Sequence, residues 1–259
     1  IIAGSVANII LEIDKFMIPQ LEHIAEVAYY SVGVYIASVI GIPTRAMQQI
    51  TTPITAKEMN NKNMTEVAIL YKQSSINLLV VGGLFFLMIN LNINDLYEFI
   101  NKPQFSKGIW VVLIISAVKL FELALGIGNA ILTNSKYYRI LFYLSIAMAA
   151  SVIVLNRWLI EIIGINGAAV ATLIVVVVYS IIKILYIKSK LKIQPFSGET
   201  IKLLIIVTLL YAIFYFWNFT FHPLINIVLK CALIAPIYVF LVKKMKISIE
   251  ITQLLGSIF

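Results

Sequence analysis

The sequence predicts an all-α membrane protein of about eight transmembrane helices, and three observations carry that prediction. Of its 259 residues, 61% are hydrophobic and only 12% charged, well under the ~25% charged residues typical of soluble domains. The mean hydropathy of +0.97 means more apolar surface than a soluble core of this length could hide. The apolar residues are also gathered into runs of roughly the ~20 residues that cross a bilayer as a helix, joined by short connections.

Taken in order, the spans cover approximately 1–20, 28–55, 74–100, 106–133, 138–160, 163–188, 200–220 and 222–242. The first opens inside an apolar run, Ile1-Ile2-Ala3-Gly4, with no initiating methionine and no basic leader. The chain is therefore expected to be a fragment or one half of a longer transporter. The second holds a permanently charged Arg45 near its middle. The third has Asn90 and Asn92 near its end, which could be interfacial rather than luminal, and the fourth carries Lys119 and Glu122. The fifth and sixth meet near Gly164, where small residues permit close helix packing. A basic stretch then precedes the last two spans. The organisation expected is a six-span transport lobe over 1–190, a cytoplasmic linker over 191–199, and two additional helices with a cytoplasmic tail over 200–259.

Orientation follows from lysine and arginine. One set of loops carries Lys57, Lys62 and Lys72, then Lys136 and Arg139, then Lys183 to Lys202, then Lys243, Lys244 and Lys246. The opposite set carries only Lys15, Lys102, Lys107 and Arg157. The positive-inside rule puts the carboxyl terminus of a multi-pass protein in the cytoplasm. The same bias accounts for the net charge of +8 without a nucleic-acid partner.

Polar residues inside the spans point to a cavity. A guanidinium in hydrocarbon costs about 3 kcal/mol on insertion scales, so Arg45 must face protein or water. Ser38, Gly41, Arg45, Gln49 and Thr52 recur at three- and four-residue intervals and share one helical face. Pro43 removes a backbone bond beside them and predicts a kink or an unwound turn. Ser116, Lys119, Glu122, Gly126, Asn129 and Thr133 form a second stripe in the fourth span, and Ser5, Asn8 and Glu12 a third in the first. Simpler readings stand beside this one. Lys119 and Glu122 can neutralise each other at i, i+3, Arg45 can clamp onto Glu12 or Asp14, and Lys230 can face lipid or serve packing.

Other chemistries lack their residues. The single cysteine, Cys231, excludes a disulfide framework and a cysteine metal site, and His23 and His222 share no ligand spacing with each other or with carboxylates. There is no glycine loop to cradle phosphates, no nucleophile elbow and no pair of loop carboxylates. Neither an enzyme nor a bound cofactor or metal is expected.

The run IDKFMIPQL at 13–21, followed by VGVYIASVIGIPTRAMQQITTPITAK at 32–57, resembles the second half of bacterial oligosaccharide flippases. These are O-antigen and polysaccharide-repeat transporters of the multidrug/oligosaccharidyl-lipid/polysaccharide exporter superfamily. LGIGNAILTNSKYYR at 125–139 and GINGAAVAT at 164–172 agree with it in order and spacing. The resemblance implies the second lobe of a V-shaped, two-lobe exporter, plus two extra carboxyl-terminal helices, in the bacterial inner membrane. It implies alternating-access transfer of an undecaprenyl-diphosphate-linked oligosaccharide to the periplasmic leaflet, with membrane lipids, the missing amino-terminal lobe and polysaccharide polymerase machinery as partners. Arg45 and Lys119, with Gln49 and Asn129, would then bind substrate, while Glu12, Asp14 and Glu122 would couple an ion or tune charge. The alternatives are a cation-coupled multidrug antiporter of the same superfamily and a membrane-embedded polymerase or acyltransferase.

Overall fold

The computed structural model describes residues 13–217 and 221–258, and every regular element among them is helical. Glu12, with its companions Ser5 and Asn8, lies outside the described residues. Helix α1 is seen over 13–21. It is followed by α2 (Ile24–Ser38), a 3-10 turn (Val39–Gly41), α3 (Ile42–Asn60), α4 (Met64–Asn90) and α5 (Ile93–Phe99). Then come a second 3-10 turn (Pro103–Gly108), α6 (Ile109–Ala124), α7 (Gly128–Thr133), α8 (Arg139–Ile163) and α9 (Ile165–Leu191). The chain finishes with α10 (Gly198–Tyr215), α11 (Pro223–Lys244) and α12 (Ile249–Ile258).

Six helical segments among the described residues are long and apolar enough to cross a membrane: 24–60, α4, α8, α9, α10 and α11. The fold is thus that of an all-α, multi-pass membrane protein. Large apolar side chains stand exposed on the outer sides of these helices, among them Val154, Trp158, Ile205, Leu209, Val228 and Phe240.

Several elements differ from the sequence reading. The fourth span is not one helix: α6 stops at Ala124, Gly126 takes φ +51°, and α7 restarts at Gly128. A Cβ at Gly126 would lie 2.7 Å from Ser74 Oγ and 2.9 Å from Ser75 N, so only glycine fits this crossing. Ser75 Oγ donates to Ala124 O (2.7 Å) and Ser74 Oγ accepts from Ile127 N (3.2 Å), so α4 satisfies backbone groups released by the break. Lys72 belongs to α4, which begins at Met64, where the Asn63 side chain accepts from Glu66 N. Lys183 belongs to α9 rather than to a loop. That helix runs to Leu191 and is ended by Lys192 in the left-handed region. The tail after 244 contains α12, anchored where Ser248 Oγ donates to Asn77 Oδ1 of α4 (2.6 Å).

Helix α6 is the inner element, packed by α2, α4 and α9. Helices α8 and α9 form a hairpin turning at Gly164. There a Cβ on Gly167 would overlap the carbonyl oxygen of Leu159, at 2.1 Å. Helices α10 and α11 pack on α4 and α5, and α11 runs antiparallel to α4. Near the start of α11, Lys230 Nζ bonds Asp95 Oδ2 (2.8 Å) and Leu91 O (3.3 Å), while Ser248 beyond its far end reaches back to Asn77. Asn226 Nδ2 adds a bond to Asp95 Oδ1 (3.2 Å). Lys230 is therefore no lipid-facing side chain but half of a buried ion pair.

Asn90 and Asn92 are likewise buried, donating to Phe86 O (2.9 Å) and Met88 O (2.7 Å) within their own helical turn.

Candidate functional site

Two adjoining cavities lie between α1–α3 and α6–α9. The larger, about 460 Å³, is lined by Asp14 and Lys15 of α1, Arg45 of α3, Lys119 and Glu122 of α6, and Thr172 of α9. The smaller, about 250 Å³, is lined by Thr44 and Gln48 of α3, Glu122, Asn129 of α7, and Ser180 and Lys183 of α9. Thr44 and Glu122 belong to both, so the two form one polar track along α3 and α9.

Arg45 stands in the second turn of α3, exposed and with no hydrogen bond or ion pair to any described residue. Pro43 occupies the first turn of that helix, where its missing N–H leaves no bond broken. The chain passes from α2 to α3 through the 3-10 turn at Val39–Gly41, directly before it. Ser38 before the turn, Gly41 at its end and Arg45 after it all line the larger cavity, so the predicted face holds this far. Within α3, Gln49 lies outside the lining of both cavities, while its neighbour Gln48 lines the smaller one.

Lys119 and Glu122 form an ion pair of 2.8 Å, with side chains 14% and 38% exposed. Mutual neutralisation and cavity lining are therefore both true of this pair. Asn129 faces the smaller cavity and does not line the one that holds Arg45.

Asp14 is 2% exposed and lies at a junction of four helices. Its carboxylate accepts hydrogen bonds from Tyr30 of α2, Asn156 of α8 and Thr172 of α9, the last at 3.0 Å. Such charge-assisted bonds stabilise the ionised acid. Nearby, Asn156 Oδ1 is buried with no hydrogen-bond partner.

Sequence reasoning missed Tyr30, Asn156, Thr172, Gln48 and Lys183. Asn156 and Thr172 lie 142 and 158 residues from Asp14, so no local spacing joins them. Lys183 did leave a signal. Thr172, Val176, Tyr179 and Lys183 recur at four, three and four residues, which marks one face once α9 is extended past 183. Among the described residues no group of histidine, cysteine and carboxylates could hold a metal ion.

Comparisons with protein-family models, with curated proteins and with solved structures find no match. The resemblance to flippases therefore rests on the motifs in the sequence alone.

Proposed function

We propose that this chain is the carboxyl-terminal lobe of a transporter that flips an undecaprenyl-diphosphate-linked oligosaccharide across the bacterial inner membrane by alternating access. The observation that carries this reading is Arg45, an unpaired guanidinium opening on an interior cavity of a bundle built from bilayer-length apolar helices. An ionisable group within a membrane-spanning segment marks a substrate or ion path. The guanidinium fork matches the oxygens of a diphosphate, and Lys119 adds a point charge from the opposite wall.

In the larger cavity Lys119 is balanced by Glu122 at 2.8 Å, and Arg45 adds a positive charge with no partner among the described residues. That balance suits an anionic headgroup and disfavours the multidrug antiporter, whose cationic substrates would be repelled. Membrane lipids would keep the prenyl tail, and a first lobe would close the exposed side of α3. Asp14 is the coupling group in this reading. A proton or monovalent cation bound at its carboxylate, with the bare Asn156 Oδ1 alongside, would alter the grip of α1 on α2, α8 and α9.

The test is complementation of a polysaccharide-deficient strain. Arg45→Ala and Asp14→Asn are expected to abolish surface polysaccharide at unchanged protein level in the membrane. Full complementation by Arg45→Ala would sink the assignment, and by Asp14→Asn the coupling role.

A further inference from the structure

We infer that the smaller cavity is an oxyanion-binding site, with Lys183 as its charged ligand and a phosphate-class group as its occupant. Lys183 is only partly exposed, on the inward face of α9. Its ammonium makes no hydrogen bond or ion pair with any described residue, although it stands within the field of Glu122. The Glu122 carboxylate is already taken by Lys119 at 2.8 Å. The cavity thus holds a cation whose nearest acid is engaged elsewhere. Moving a charge out of water without compensation is costly, and the cost falls away when an anion enters.

The rest of the lining suits such an occupant. Ser180, 8% exposed, presents a hydroxyl one turn before Lys183, and Asn129 and Gln48 bring amide N–H donors from the facing helices. Tyr179 shares a hydrogen bond with Ser151 (3.1 Å), which fixes the ring at the cavity edge. A volume of about 250 Å³ equals that of roughly eight liquid waters, enough for a phosphate or diphosphate with part of its hydration. Neutral donors around an ammonium, with the lining carboxylate of Glu122 held by Lys119, favour an oxygen-rich anion over an apolar occupant.

The site lies on the same track as Arg45 but nearer the end of the bundle where α8 begins and α9 finishes. It is a second station, not part of the Arg45 cavity. The existence of the site does not depend on the flippase reading. Only the identity of the anion's carrier does, as the diphosphate of the same substrate.

The experiment is titration of the purified full chain in nanodiscs of neutral lipid with inorganic pyrophosphate, read by calorimetry. Wild type is expected to bind, and Lys183→Gln to bind at least about tenfold more weakly, as loss of one charge-assisted bond predicts. Lys183→Arg is expected to stay within about threefold of wild type. Glu122→Gln removes a negative charge beside the anion and is expected to bind severalfold tighter, a gain that misfolding cannot produce.

Absence of pyrophosphate binding to wild type, or binding by Lys183→Gln within twofold of wild type, would overturn the site. So would Glu122→Gln binding no tighter than wild type. A chain that binds pyrophosphate through Lys183 yet complements fully as Arg45→Ala would keep this site and lose the flippase assignment.

Discussion

Single side chains in this molecule carry either a shared structural charge or an open one. Lys230 and Asp95 are of the first kind, with side chains 5% and 12% exposed and 2.8 Å apart. Removing one partner of a buried pair leaves the other charge uncompensated and costs about 3–5 kcal/mol, whereas replacing both with apolar groups is often close to neutral. Lys230→Met and Asp95→Leu are each expected to lower thermal stability in detergent sharply. The double variant should recover most of the loss, and additive destabilisation would show that the pair does not act as a unit. Arg45 and Lys183 are of the second kind. Neither has a hydrogen bond or ion pair with any described residue, so their substitution should touch ligand binding far more than stability.

Among the elements, the interrupted helices are the ones that build the site. The break between α6 and α7 puts Glu122 and Asn129 on one cavity wall, and α4 holds it through Ser74 and Ser75. Irregular backbone at membrane depth is tolerated where it is buried in protein or lines a cavity, and this turn does both. Gly126→Ala is expected to cost about 1–3 kcal/mol, since it adds a Cβ in the left-handed region 2.7 Å from Ser74 Oγ. Thermal unfolding of the purified variant checks this. Stability equal to wild type would mean that the break relaxes without strain. The glycine is visible in the sequence, yet periodicity continues across it: Ser116, Lys119, Glu122, Gly126, Asn129 and Thr133 fit a helical repeat whether or not the helix is broken. Pattern alone does not detect a single residue of positive φ.

For the whole molecule, the governing feature is alternation of the long helices, which gathers most of the basic residues at one end. Lys57 and Lys62 flank the α3–α4 turn, Arg139 starts α8, Lys188 to Lys192 finish α9, and Lys243 to Lys246 finish α11. The positive-inside rule then predicts which end is cytoplasmic. In a Cys231→Ser background, Lys62→Cys and Lys192→Cys are expected to resist a membrane-impermeant maleimide in intact cells, and Lys102→Cys to react. The reverse labelling would invert the protein and reassign which end of the cavity track meets the cytoplasm. At this scale much was legible in the sequence, since apolar runs and basic connections are properties of composition along the chain. Six helical segments of bilayer-spanning length and composition follow the predicted runs 28–55, 74–100, 138–160, 163–188, 200–220 and 222–242, with boundaries shifted at most of them.

The sequence by itself determined the solvent: so few charges and such long apolar runs dictate a bilayer, and helices because their backbone bonds close internally. It also marked Arg45, Lys119 and Glu122 as residues that a membrane interior tolerates only beside protein or water. What the tertiary structure decided is which charges meet. Asp14 is bound by side chains from helices up to 158 residues away, Lys119 keeps Glu122, Lys230 keeps Asp95, and Lys183 turns inward with an open ammonium. The physical reason is range. Hydropathy and periodicity are local and survive in one dimension, whereas ion pairs and hydrogen bonds act over about 3 Å between helices brought together only by packing.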